Sequence, residues 1–411
     1  MLWFIQNLPG ILKKKNLVFR VETSTMNVKK IKMQNKYQKP KGSYISFMSN
    51  KVKTHGGINF AQGIPGFQPP KELTRVLSDV SGKNIHQYAP GNGNHDLLNL
   101  LYHKYQDDFP FTKDNFLIVQ GATEALSLLF TYFCNEINGP FSALAFDPVY
   151  ESYKYLPGIF NKKFVSFAFE DDGSIDFDEL KSVCENQNVQ VIFVGSPGNP
   201  YGKIWSKKDM TELVKLCVEL EIYLVLDSVY RELYYDKKPY IPLEKFNPNI
   251  FYTNSFSKIL SITGWRVGYL IAHHDHMDKI KSIHDYIGLC APSVLQVAIA
   301  QYLKASNFGD DYIQSIRNLL TENYLLVSTE LSKLGFFVPK TKGGYFVWAE
   351  LPDSYTDGFK FAIDLYDEQK VAVIPGEHFS EKAKSYIRIN IARDKNEIVE
   401  GIERIKAFFK D

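Results

Sequence analysis

The chain has 411 residues, of which 45% are apolar and 23% charged, with a formal net charge of +2. That length exceeds one ordinary core and suits a large α/β domain with a smaller partner domain, and near-neutral charge argues against a nucleic-acid partner. No stretch approaches the roughly 20 apolar residues of a membrane helix, and Cys134, Cys184, Cys217 and Cys290 form no C-x-x-C pair, which argues against zinc or a disulfide framework and for free thiols in a reducing, cytoplasmic setting.

In chain order, residues 1–37 read as a disordered extension. The apolar start Met1–Leu12 is followed by Lys13, Lys14 and Lys15, the reverse of a signal peptide. An organelle-targeting segment, or an upstream start with translation from Met26 or Met33, are the other readings. The Gly/Pro-rich segment Gln38–Pro70 is expected to pack with the C-terminal part. Short β-rich runs then follow at Phe116–Val119, Ala143–Phe146, Val189–Val194, Ile222–Leu226, Phe251–Asn254 and Val267–Ile271. Helical patterns such as Thr123–Phe133 and Lys207–Leu220 lie between them. Strands alternating with helices predict a largely parallel sheet covered on both faces, whose ligands bind beyond the C-terminal strand ends. A helical region runs from Asp275 to Leu334. Strands are expected at Phe336–Pro339, Tyr345–Trp348, Val371–Ile374 and Tyr386–Ile389, and a last helix from Asn396. The expected domains are 38–75 with 305–411 (small) and 76–304 (large), and no metal site is expected.

Five motifs carry chemistry, each with a bland alternative. Ser255-Phe-Ser257-Lys258 follows a strand and precedes Gly264-Trp265-Arg266-Val267-Gly268. A lysine amine there can form a Schiff base with an aldehyde cofactor, and the hydroxyls and the guanidinium of Arg266 can hold a phosphate, although most such lysines are solvated surface residues. The apolar run Ile222–Leu226 ends in Asp227, with Ser228, Val229 and Tyr230 behind it. A buried carboxylate needs a partner, either a ring N–H or a helix start that it caps. Gly121-Ala122-Thr123-Glu124 opens a helix after a strand, which is an anion site or merely a capped start. Ser196-Pro197-Gly198-Asn199-Pro200 is a turn-rich loop whose Asn199 can bond a phenolic oxygen, or a plain turn. Arg388 sits within the apolar strand Tyr386–Ile389, a costly place unless a substrate carboxylate or an internal acid pairs it.

Together and in this order these motifs resemble the fold-type I, class I/II aminotransferases, most nearly the methionine and kynurenine (glutamine) enzymes, over about residues 38–408. Supporting runs are Ala61–Gly66, Gln87–Gly93, Asp147–Tyr153 and Lys342–Phe346. The resemblance implies the α/β PLP-transferase fold with a mostly parallel seven-stranded sheet plus a smaller α/β domain, and pyridoxal 5'-phosphate as cofactor. It implies that Lys258 is the Schiff-base lysine and Asp227 the partner of the pyridine nitrogen. Tyr230 and Asn199 would bond the ring oxygen, and Tyr150 would stack on the ring. Ala122, Thr123, Ser255 and Arg266 would hold the phosphate, joined by Tyr88 from the other subunit of a homodimer. Arg388 would clamp the substrate α-carboxylate with Asn199 and Gly63, and Tyr345 would line the substrate site beside Phe67, Tyr88, Tyr150 and Phe346.

Three positions depart from the family pattern. Gly195-Ser196-Pro197 replaces Asn-x-Pro, Asp227-Ser228-Val229-Tyr230 replaces Asp-Glu-x-Tyr, and Cys290 stands where kynurenine-type relatives carry histidine. No second arginine is evidently placed for an acidic side chain, so the expected donor is methionine, an aromatic or another apolar amino acid. A PLP-dependent C–S β-lyase would use the same residues. An aminotransferase-like effector domain of a transcription regulator is disfavoured, because the first 40 residues are too short for a winged helix.

Overall fold

Apolar runs buried on both faces make the strands of the main sheet, because such segments can satisfy their backbone only by pairing in a covered sheet. A computed structural model describes residues 36–106, 111–170, 173–243 and 246–410. The readings made for residues 1–35 lie outside the described residues. The chain divides into two units, 1–40 and 41–411, and every strand and site residue lies in the second.

The strands are β1 (Ile58–Asn59), β2 (Phe116–Val119), β3 (Ser142–Asp147), β4 (Lys163–Ala168), β5 (Val189–Gly195), β6 (Tyr223–Asp227), β7 (Ile250–Ser255), β8 (Gly268–Ile271), β9 (Phe346–Glu350), β10 (Val371–Ala372), β11 (Ile374–Pro375) and β12 (Tyr386–Asn390). Seven of them form one sheet in the order β2-β8-β7-β6-β5-β3-β4. β8 pairs antiparallel with both β2 and β7, and the other pairings are parallel. β2 therefore points the same way as β7, and the C-terminal ends of six strands share one edge.

The register Gly195↔Asp227↔Thr253 aligns the last residues of β5 and β6 with β7, so the segments after these strands emerge within one or two strand spacings of each other. The helix Ala122–Glu136 buries Ala125, Leu126, Leu128, Leu129, Phe130, Tyr132 and Phe133 against Val119, Phe193, Val225, Phe251 and Leu270 of the sheet. That packing anchors the helix start at the ligand edge.

Antiparallel β11-β12-β9 forms a second sheet. β1 pairs in parallel with β10, and the Tyr366 hydroxyl donates to Lys51 O (2.7 Å) or Gly56 O (2.9 Å), tying the segment before β1 to the helix Gly358–Gln369.

Some expected boundaries differ. Phe336–Pro339 is not a strand, since only Phe337 makes an isolated bridge, to Glu350. Val371–Ile374 is split, because β10 and β11 pair with different partners. The long helical region is three helices, His274–Ile287, Ser293–Ala305 and Asp310–Lys333. Its second break is made by positive φ at Phe308 (63°) and Gly309 (78°).

Candidate active site

Five segments leave the ligand edge of the main sheet and line one cavity, which holds Ala122, Thr123, Tyr150, Asn199, Asp227, Tyr230, Ser255, Lys258 and Arg266. Arg388 of β12 and Gly63 of the loop after β1 close it. Each segment follows a strand: Gly121 after β2, Tyr150 after β3, Asn199 after β5, Asp227 at the tip of β6 and Lys258 just past β7.

At one end the helix Ala122–Glu136 begins without a side-chain cap, which leaves its first N–H groups and the positive end of its dipole available to an anion. Gly121 has φ 81°, and a Cβ there would come within 2.6 Å of Arg266 Nη2, so only glycine lets the guanidinium pass beside the turn. Arg266 is aimed by donating to Thr263 O (3.0 Å) and Gln120 O (3.1 Å). The Ser255 hydroxyl donates to Ser257 Oγ (2.8 Å) or Val267 O (3.1 Å) and accepts from the Ser257 N–H. Helix start, two hydroxyls and guanidinium make a set that could hold a phosphate.

At the tip of β6, Asp227 is buried. Its Oδ2 accepts from the Tyr153 hydroxyl (2.7 Å) and its Oδ1 from the Val229 N–H (3.3 Å). Burial pushes its pKa up, against the pull of those hydrogen bonds and of Lys258. No basic side chain lies in ion-pair range of it among the described residues, so the carboxylate has room for a cationic N–H from a ligand. Tyr153 is fixed in turn by stacking on Phe193 (5.2 Å, 5°).

Lys258 Nζ donates to Gly63 O (2.5 Å) and lies 5.8 Å from the Tyr230 ring. Burial, then the charges of Arg388 and Arg266, push its pKa down to about 8.

Arg388 has no exposed surface. Alternation along β12 turns Ile387 and Ile389 to one face and Arg388 and Asn390 to the other. Its Nη1 donates to Asn199 Oδ1 (2.8 Å) and its Nη2 to Ala61 O (2.5 Å), while Nε has no partner. The guanidinium lies 4.2 Å from the Phe346 ring and 4.8 Å from that of Phe379. Burial pulls its pKa down to about 10, and no carboxylate among the described residues is in ion-pair range. The neighbouring Asn390 amide donates to Gln62 O (2.6 Å) and Ile64 O (2.7 Å), which pins the loop carrying Gly63 over the cavity.

Two expected residues stand elsewhere. Tyr345 is fully buried and does not line the cavity. Its hydroxyl donates to Lys258 O and its ring packs edge-on against Tyr230 (5.3 Å), so it braces the lysine from behind. Tyr88 is 82% exposed and lies outside the cavity of its own chain. Of the expected walls only Tyr150 faces the cavity. Phe67 is buried away from it, Phe346 lies beneath Arg388, and Cys290 is not among the lining residues. Sequence reasoning missed Tyr153, Glu151 and His378. Tyr153 stood three residues after Tyr150, one helical turn on, which was a usable signal, whereas His378 offered none.

Residues 55–405 match the family model described as aminotransferase class I and II. A probable aspartate aminotransferase of Methanocaldococcus jannaschii is 28% identical over 87% of this chain and 95% of its own. A (5-formylfuran-3-yl)methyl phosphate transaminase of the same organism is 29% identical over 88% and 94%. The solved structure of the N-succinyldiaminopimelate aminotransferase of Mycobacterium tuberculosis superposes with a TM-score of 0.82 at 22% identity, covering 89% of this chain and 97% of that one.

Proposed function

Because the chain belongs to the class I and II aminotransferases, which are pyridoxal-phosphate enzymes, we propose that it moves the α-amino group of an amino acid without a side-chain carboxylate to a 2-oxo acid through the cavity around Lys258. The observation that carries this reading is the convergence of Lys258, Asp227 and Arg388 on one buried cavity, each a charged group without an oppositely charged side chain in ion-pair range.

Pyridoxal phosphate, when bound, supplies a ring that accepts the electron pair of the substrate Cα–H bond. In the proposed assignment Ala122, Thr123, Ser255 and Arg266 would hold the phosphate, Asp227 the ring N–H, Tyr230 and Asn199 the ring oxygen, and Tyr150 would stack on the ring. Arg388 grips the substrate α-carboxylate through a planar fork, which fixes the direction of the Cα–H bond. Lys258 Nζ then removes the Cα proton, an act for which its lowered pKa suits it. Asp227, held by Tyr153, keeps a proton on the nitrogen that faces it. Release of one oxo acid before entry of the next makes the kinetics ping-pong.

We infer a donor whose side chain carries no carboxylate, such as methionine, phenylalanine, tyrosine or leucine. Ile45, Ile64, Leu126 and Val229 contribute apolar wall, and the cavity's second guanidinium, Arg266, is committed to the helix start. The family itself leaves the donor open, since relatives carry names as different as aspartate and aromatic-amino-acid aminotransferase. The test is an absorbance-monitored half-reaction of the holoenzyme against a panel of amino acids. Conversion of the cofactor band without added oxo acid, and its restoration by an oxo acid, is the expected result.

Arg388→Gln separates the proposed role from folding. Losing a charged two-point grip on the substrate is expected to lower kcat/KM by about 10²- to 10³-fold. Removing a buried, unpaired charge is expected to leave the thermal midpoint unchanged or raised, as read by calorimetry. A large loss of stability would place Arg388 in the folding core instead.

A second copy of the chain is part of the proposal. Tyr88 (82% exposed), Tyr286 (93%) and Ile287 (58%) are large side chains left in solvent, and Gly91 lies against Asp285, so the two segments share a face. In a homodimer through this face Tyr88 serves the partner's phosphate site. Light scattering is expected to give twice the chain mass. The four free cysteines suit the cytoplasm.

A further inference from the structure

Among the described residues two carboxylates line the cavity, Asp227 and Glu151, and the proposed reaction employs only the first. Glu151 opens the helix Glu151–Ile159, directly after Tyr150. Its Oε2 lies 2.9 Å from His378 Nε2, close enough for an ion pair though off the line of a good hydrogen bond, and accepts from the Ser43 hydroxyl at 3.1 Å. His378 is buried and stacks on Tyr44 (5.5 Å, 24°), whose hydroxyl donates to Glu377 (3.0 Å). Both partners engage Oε2, and Oε1 takes no hydrogen bond among the described residues. The Glu151 side chain keeps 28% of its surface open. A carboxylate positioned on one oxygen and free on the other, in the wall of a substrate cavity, is an acceptor without a protein donor.

Resting on the aminotransfer reading above, we propose that Glu151 determines specificity. Its free Oε1 accepts from donor amino acids whose side chains end in N–H or O–H, and its charge turns away a second substrate carboxylate. The substrate class is thereby sharpened from side chains without a carboxylate to those tipped by an ammonium, amide or phenol, with dicarboxylates excluded. His378 and Ser43 hold Glu151 well within the ionised range, its pKa lowered first by His378 despite burial. Glu151 and Arg388 also feel each other's charge, so a substrate gripped at Arg388 lies within the field of Glu151. A second carboxylate in so poorly solvated a space is expected to cost about 10- to 100-fold in kcat/KM.

The test is a set of holoenzyme half-reactions with ornithine, glutamine, tyrosine, alanine and aspartate, using wild type, Glu151→Gln and Glu151→Asp. Wild type is expected to prefer ornithine to aspartate by at least about tenfold in kcat/KM. Glu151→Gln is expected to shrink that ratio by about 10- to 100-fold, more than it changes the alanine rate, and Glu151→Asp to preserve the wild-type order. Equal wild-type rates for ornithine and aspartate overturn the proposal. So does a Glu151→Gln effect of the same factor on ornithine, alanine and aspartate, which would mean that Glu151 acts only through Arg388 or the fold. If neither these five nor methionine, phenylalanine and leucine convert the cofactor band, the aminotransfer reading itself fails, an outcome separate from a failure of selectivity.

Discussion

Lys258→Ala is expected to lower turnover by at least about 10⁴-fold, the upper range for loss of a positioned proton-transfer group, and to abolish the absorbance signature of lysine-tethered cofactor. The same side chain is proposed for two tasks, and both need its amine neutral. In water a lysine amine is almost wholly charged at neutral pH. Here burial and the nearby guanidinium groups of Arg388 and Arg266 bring its pKa down to about 8. The sign of the pH dependence follows. Capture of pyridoxal phosphate by cofactor-free protein requires the uncharged amine, so its rate should rise about tenfold per unit below pH 8 and level off above it, with no counterpart in Lys258→Ala. Stopped-flow absorbance measures both. Normal transamination by the alanine variant would refute the assignment of the cavity.

How much of this was legible in the sequence depended on whether a residue's partner was local. The runs at Phe116–Val119, Val189–Val194 and Phe251–Asn254 read correctly as strands, because near-complete burial on both faces keeps them apolar but for Gln190, Thr253 and Asn254. Lys163–Ala168 went unlisted among the strand runs, since it forms the sheet edge and only Phe167 of its six residues is buried. Phe336–Pro339 has strand-like composition but only Phe337 finds a bridge there.

In the site, Asp227, Asn199 and Lys258 were readable because each lies at or just beyond the end of an apolar run, and the parallel sheet brings those ends together. Tyr345 was misplaced because it adjoins Phe346, and sequence adjacency does not say which face of a strand a ring takes; it lies behind Lys258, where its hydroxyl binds the lysine carbonyl. The Tyr153–Asp227 bond spans 74 residues, and His378 stands 227 residues beyond Glu151. Such pairs exist only through the tertiary fold.

Asp227→Ala is expected to slow the single-turnover loss of the Cα proton by about 10³-fold, the scale of removing one preorganised electrostatic contact at a developing charge. Asp227→Asn tests charge apart from shape. The amide keeps the shape, its oxygen accepting from the Val229 N–H and its NH2 donating to the Tyr153 hydroxyl in place of the bonds the carboxylate accepts, but it cannot hold a proton on a facing ring nitrogen by charge, so it should be nearly as slow as alanine. The cofactor-free protein should behave in the opposite sense. Burial raises the Asp227 pKa in the folded chain, so the folded chain binds this proton more tightly than the unfolded chain does. Its contribution to stability is therefore neutral below the ordinary carboxyl range and turns unfavourable as pH rises toward the folded pKa. Asp227→Asn removes that penalty, and denaturant midpoints of the cofactor-free protein should converge with wild type at acid pH and exceed it at neutral pH. A variant that lost stability at neutral pH while keeping its single-turnover rate would make Asp227 a strand-end cap rather than the ring's counter-charge. The pairing of higher cofactor-free stability with lost proton abstraction follows from a carboxylate kept desolvated until a cation arrives to share its site.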